Sequence, residues 1–188
     1  MTALAPTLSV RFFPRTANWL RDLALILAGS WLVALLAQIE IPLQPVPITG
    51  QTFAVLLVGA LLGSKRGAAA MVAYIAQGAM GLPFFAGGAS GFGILTGATA
   101  GYLVGFIGAA YAVGWLAERG LERSVRTSII PFLAGTLVIY ICGVAWLSFV
   151  LGSFGQAVQY GLLPFLPGDG IKLVAAALAL PAAWKLVK

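Results

Sequence analysis

The chain has no histidine, one cysteine and five acidic residues among 188. Lack of histidine removes the usual general base and the commonest zinc ligand. Cys142, alone, excludes an internal disulfide and a cysteine-rich metal site. Ser90, Ser148 and Ser153 have no imidazole to activate them. There is no G-x-x-x-x-G-K-[ST] phosphate loop, and Gly59 with Gly63-Ser64-Lys65 only superficially approaches one. Gly91-Phe-Gly-Ile-Leu-Thr-Gly97 has one residue too many for G-x-G-x-x-G. No enzyme, metal or cofactor is expected. Any uphill transport must draw on an ion gradient or on a separate ATPase.

What the chain does have is apolar residues. They make up 61% of it, against 9% charged, and the mean hydropathy is +1.01. Such values do not belong to an ordinary soluble domain. The length accommodates roughly six spans of about 20 residues with short loops. The expected fold is an all-α integral membrane protein, one domain over 1–188, with 1–18 a cytoplasmic N-terminal segment lacking a cleavable signal.

The spans fall at Trp19–Ile39, Gln51–Leu62, Ala68–Met80, Gly93–Ala117, Ile129–Leu151 and Asp169–Val187. Between the first two lies Glu40–Gly50, whose three prolines cannot continue a helix. Gly81–Phe92 and Gly152–Gly168 are uncharged Gly-rich loops. The second and third spans are short against the ~20 residues of a straight crossing, a pointer to a binding site in transporters.

Base segregation orients the chain. Arg11, Arg15, Arg21, Lys65, Arg66, Arg119, Arg123, Arg126, Lys185 and Lys188 fall on one side of a six-span arrangement, and Lys172 alone on the other. The positive-inside rule then places both termini in the cytoplasm. The net charge of +6 reads as topology and contact with membrane lipids. The bases form no patch for nucleic acid.

Asp169 and Lys172 open the last apolar run, three residues apart and so on one helical face. A charge in hydrocarbon costs on the order of 2.5–3.5 kcal/mol, so this pair is the leading candidate site. One reading is a self-satisfied ion pair with Lys172 snorkelling outward. The other is a polar floor to an outward-facing pocket, Asp169 accepting N–H donors and Lys172 meeting a carbonyl or carboxylate. Gln77 offers a ligand both donor and acceptor, or a helix–helix hydrogen bond. Gln44, Thr49, Gln51 and Thr52 surround the first outer loop, where Thr49 also suits an N-cap. Phe84, Phe85, Tyr160 and Phe165 suit either an apolar lid or an interfacial belt. Ala24-x-x-x-Ala28 and Ser30-x-x-x-Ala34 carry small residues that let another helix approach closely, inside the protein or from a partner.

Pro45-Val-Pro-Ile-Thr-Gly-Gln-Thr52, Gly63-Ser-Lys-Arg-Gly67, Gly81-Leu-Pro-Phe-Phe-Ala-Gly-Gly88 and Leu95-Thr-Gly-Ala-Thr-Ala-Gly-Tyr102, in that order, resemble the BioY family. These are the biotin-binding S components of energy-coupling-factor (ECF) transporters. The resemblance implies an outward-facing biotin pocket closed by the first and third outer loops. It also implies a transmembrane coupling protein and two cytoplasmic ATPases as partners. By the likeness Asp169 and Lys172 contact biotin, Gln77 falls near an amide position, and the first-span small residues meet the coupling protein. Gly87 and Gly88 let backbone N–H groups approach a ligand. Ala98 and Ala100 depart from the family's usual Pro and Gly, and the third outer loop lacks an Arg found in some members. The expectation is high-affinity biotin binding and uptake. The rivals are an ion-coupled carrier or channel using Asp169 and Lys172, and a structural membrane subunit.

Overall fold

The computed structural model describes Thr7 and residues 19–186. The expected cytoplasmic segment 1–18, with Arg11 and Arg15, lies outside the described residues apart from Thr7, as do Val187 and Lys188. The described chain is helical almost throughout: α1 (Trp19–Ala37), α2 (Gln51–Leu62), α3 (Ser64–Ala79), α4 (Ala100–Ala117), α5 (Val125–Leu151), α6 (Phe154–Gly161) and α7 (Leu166–Leu186). The proline-rich segment folds as a two-stranded antiparallel ribbon, β1 (Glu40–Ile41) pairing with β2 (Ile48–Thr49).

Among the described residues, α1, α4 and α5 are each long and apolar enough to cross a membrane. The pair α6 and Leu166–Ala182 qualifies jointly, bent by 52° at its break. The segments expected as the second and third spans fold as helices α2 and α3, of 12 and 16 residues, too short to qualify by the same measure.

Several boundaries shift: the expected 64–66 turn is the first turn of α3, α5 begins at Val125 rather than Ile129, and α7 begins at Leu166 rather than Asp169. Phe92–Thr96 forms a short 3-10 helix and residues 97–99 a turn, so the fourth long helix begins at Ala100 rather than Gly93. The loop after α5 contains a helix of its own, α6. Gly152 ends α5 in the left-handed region, and the Ser153 Oγ accepts the Gln156 N–H across the first turn of α6. Ser153-x-x-Gln156 is a capping-box spacing, the local signal for this helix.

Packing centres on α4, which touches α2, α3 and α5. Small residues let the backbones close up. A Cβ at Gly59 would lie 2.7 Å from the Ala110 carbonyl oxygen, and one at Gly114 only 2.3 Å from the Gly63 carbonyl carbon. Helices in lipid gain nothing from hiding apolar surface, so this close van der Waals fit is what holds them. On the other side of α5, Leu133, Leu137, Ile141 and Phe149 remain exposed, as a lipid-facing surface requires.

The small residues of α1 separate onto two faces. Ala24 and Ala28 are exposed, beside Leu20, Leu27, Trp31 and Leu35. Ser30 and Ala34 are buried within the protein, and the Gln77 amide of α3 donates to the Ser30 Oγ at 3.0 Å. Thus only the first pair stays open to another molecule; the second is spent on internal packing.

A cavity above a buried ion pair

Asp169 sits in the first turn of α7 and is 8% exposed. Its Oδ1 accepts from the Lys172 Nζ at 2.8 Å and the Thr52 Oγ1 at 3.2 Å; its Oδ2 accepts from the Tyr140 hydroxyl at 2.5 Å. Lys172 spends its other two donors on the Thr49 carbonyl at 2.8 Å and the Thr52 Oγ1 at 2.9 Å. All three ammonium hydrogens are therefore used. A desolvated pair is tolerable only with its remaining polar atoms satisfied, and the threonines and Tyr140 provide that. Without a ligand, the two charges are closed on each other, with Thr52 bonded to both.

A cavity of about 50 Å³ opens beside this network. Thr49, Thr52 and Tyr140 line it, so the groups holding the ion pair form its wall while the pair lies behind them. Gln51, Thr99 and Tyr102 add polar atoms, and the rest is apolar: Val46, Leu103, Phe106 and Ile139 among others. A mostly apolar cavity with a few fixed polar groups is the usual form of a small-molecule site.

Three loops cover it. Val46 and Pro47 come from the β1–β2 ribbon, Phe85, Ala86 and Ile94 from the second outer loop, and Phe165 from the turn before α7. The second loop thus joins the first and third in the cover. Phe85 reaches its place because α3 has glycine at position 78: a Cβ there would meet the Phe85 ring at 2.5 Å. Tyr102 anchors the third loop through its hydroxyl, which donates to the Gly161 carbonyl at 2.7 Å, and its ring stacks on Phe165 at 6.4 Å.

The other candidate residues lie elsewhere. Gln77 is away from the cavity, accepting from the Trp31 indole N–H at 3.2 Å and donating to Ser30 and the Ala73 carbonyl; it joins α1 to α3. The amide at the cavity is Gln51. Gln44 is exposed on the ribbon, and Tyr160 is 42% exposed on α6. Gly87 and Gly88 are exposed beyond the cavity, with φ of +65° and +71°, so they serve the turn that carries Phe85 inward. Tyr140, Tyr102 and Thr99 were not singled out from sequence. The available signal was that a phenol buried in an apolar span needs a hydrogen-bond partner. Among the described residues, no three His, Cys, Asp or Glu side chains gather to hold a metal.

The helices and this covered cavity define a small multi-pass membrane protein with a mostly apolar cavity among its loops. Its fold is that of a solved structure described as the S-component for biotin from an ECF-type ABC transporter, at a TM-score of 0.79 over 91% of this chain and 94% of that one, with 24% identity. The BioY family model matches residues 6–188, and this chain belongs to the BioY family. The biotin transporter BioY of Thermotoga maritima is 43% identical over 155 residues, 82% of this chain and 86% of its own length. That of Rhizobium etli is 39% identical over 168 residues, 84% and 90% of the two chains.

Proposed function

We propose that this protein binds biotin at the cavity beside Asp169 and Lys172 and carries it across the cytoplasmic membrane as the substrate-specific component of an ECF-type transporter. Family membership, with similarity to the Thermotoga and Rhizobium biotin transporters along most of each chain, supports this reading. The observation that carries it to a site is the partly buried Asp169–Lys172 ion pair behind the cavity wall.

The chemistry is complementary. Biotin has a ureido ring with two N–H donors and a carbonyl, an apolar thiophane and alkyl chain, and a carboxylate. Asp169 suits the N–H donors, and Lys172 the ureido carbonyl or the carboxylate. Phe85, Phe106 and Phe165 suit the apolar middle. A ligand reaching the charges takes over hydrogen bonds that Asp169 and Lys172 now give each other and Thr52, which limits the desolvation cost of the exchange. The cavity has room for only a few waters; entry therefore requires the loops to part.

In this reading α2 and α3 are short crossings, α6 and α7 together make the sixth, and both termini are cytoplasmic. Lys65 and Arg66 at the start of α3, and the basic residues of the 119–126 segment, then face the anionic lipids of the inner leaflet. The exposed Ala24–Ala28 face of α1 meets the transmembrane coupling protein, which links this chain to two cytoplasmic ATPases. The chain itself catalyses no reaction.

Calorimetric titration of the detergent-purified protein with biotin, beside riboflavin and thiamine, tests the reading. Selective one-to-one biotin binding without nucleotide is expected. Ion- or pH-dependent flux through the isolated protein, with no vitamin binding, would instead favour an ion-coupled carrier.

A further inference from the structure

A run of hydrogen bonds leads from the ion pair to the second outer loop. Lys172 Nζ holds the Thr49 carbonyl at 2.8 Å. The Thr49 hydroxyl donates to the Gln51 Oε1 at 2.8 Å, and the Gln51 Nε2 donates to the Tyr74 hydroxyl at 2.5 Å. Tyr74 then donates to the Phe84 carbonyl at 3.2 Å. Its ring is wholly buried, stacked on Phe84 at 6.3 Å and edge-on to Phe85 at 5.7 Å. Tyr74 does not line the cavity, so it touches no ligand there. It grips both residues that bring the loop over the site.

Two other side chains hold this stretch from the α1 side: the Trp31 ring packs edge-on to Phe84 at 5.8 Å, and Gln38 reaches its carbonyls only at long range. The Gln38 amide reaches the Pro83, Phe84 and Phe85 carbonyls at 3.3–3.5 Å, but its short bond, 2.9 Å, goes to Ala34 on its own helix. An NH₂ group has two hydrogens, so these three long contacts share what Ala34 leaves. The Tyr74 hydroxyl, with one donor and one acceptor role filled, commits its only hydrogen to Phe84.

We infer that Tyr74 is a positioning residue for the lid: its hydroxyl and ring latch residues 83–86 over the cavity, and Gln51 couples that latch to the state of the ion pair. When a ligand draws Lys172 away from the Thr49 carbonyl, Thr49 is freed to shift, and Gln51 carries the change to Tyr74. Occupancy of the floor and closure of the roof are then linked. The inference rests on the proposed site for the coupling, but the latch itself is a property of the ligand-free protein.

Two readouts separate these. The first needs no ligand: Ala86→Cys, in a Cys142→Ala background, reports opening through its rate of modification by a polar maleimide. Adding Tyr74→Phe, which removes only the hydroxyl, is expected to raise that rate about tenfold, the scale of one lost hydrogen bond. Phe84→Ala, which keeps the hydroxyl and removes a stacked ring, should act in the same direction, and covers the case in which Tyr74→Phe does not fold. The second is biotin exchange by stopped flow. Tyr74→Phe is expected to raise the dissociation rate about tenfold and the association rate in the same direction, because ligand enters and leaves through the same opening; a general loosening of the fold would also lower the melting temperature. Unchanged modification and unchanged dissociation in folded Tyr74→Phe overturn the latch. Faster modification with unchanged dissociation overturns its coupling to the site. Absence of biotin binding by the unmutated protein would instead count against the proposed function, and the modification rates would still decide the latch.

Discussion

The two ends of the bundle are held together in two different ways. At the end carrying Lys65 and Arg66, α2, α3 and α4 meet backbone to backbone. Gly114 leaves no room between α4 and the Gly63–Ser64 peptide, and Glu118 of α4 accepts the Ser64 N–H at 2.8 Å and its hydroxyl at 3.0 Å. A carboxylate at the C-terminal cap of α4 thereby caps the start of α3, where it offsets unpaired N–H groups. At the cavity end the contacts run through rings and hydroxyls: Phe85 on Gly78, Tyr74 on Phe84, Tyr140 on Asp169. Backbone contact has no alternative partner, so that joint holds or the fold is lost. Rings have other rotamers and hydroxyls have other acceptors, so the cavity end can open while the basic end stays shut.

Substitutions sharpen this contrast in a graded way. The largest effect is expected from Gly114→Leu, whose side chain begins 2.3 Å from both the Gly63 carbonyl carbon and the Ser64 nitrogen. Backbone cannot give way, and overpacking of this kind costs about 3 kcal/mol or more; size-exclusion chromatography should show loss of monodisperse protein. At the cavity end, Asp169→Asn should leave the fold intact and weaken biotin binding at least about tenfold, ~1.4 kcal/mol, by calorimetry. Unchanged affinity would remove Asp169 from the site and leave family membership untouched.

Gly78→Ala comes next. Its Cβ would displace the Phe85 ring, and a several-fold loss of biotin affinity with little change in melting temperature is expected. Glu118→Gln tests the basic end gently. It keeps an acceptor but removes the charge from the start of α3, costing about 0.5–1 kcal/mol and lowering the melting temperature by a few degrees without altering affinity. The smallest effect belongs to Tyr160→Ala, exposed on α6 and clear of the cavity: affinity should stay within twofold. A large loss there would mean that α6 folds over the ligand in the bound state.

How much of this could be read from sequence varies with the range of the interaction. The apolar segments were legible because lipid demands long apolar helices, and Asp169 with Lys172 stood out because charge there is costly. The hidden α6 was marked by Ser153 and Gln156, a local signal masked by the surrounding glycines and prolines. Gln77 and Gln51 show the harder case. Both are amides at the ends of short apolar spans, and neither composition nor spacing tells which one faces a cavity. Gln77 turns toward Trp31 and Ser30, 46 and 47 positions away in the chain. Ala24 and Ser30 likewise share a motif in sequence but occupy different sides of α1.

By itself the sequence determined that this is a helical membrane protein and that one ion pair lies where charge needs a reason. These follow from transfer free energies, which each segment carries regardless of its neighbours. The tertiary structure decided that Thr52, Tyr140 and Thr49 surround that pair, that Phe85 rather than Tyr160 closes over it, and that Tyr74 holds the loop. Thr52 and Asp169 are 117 residues apart. Which donors meet a buried carboxylate depends on helix packing, and packing is set by the whole bundle at once.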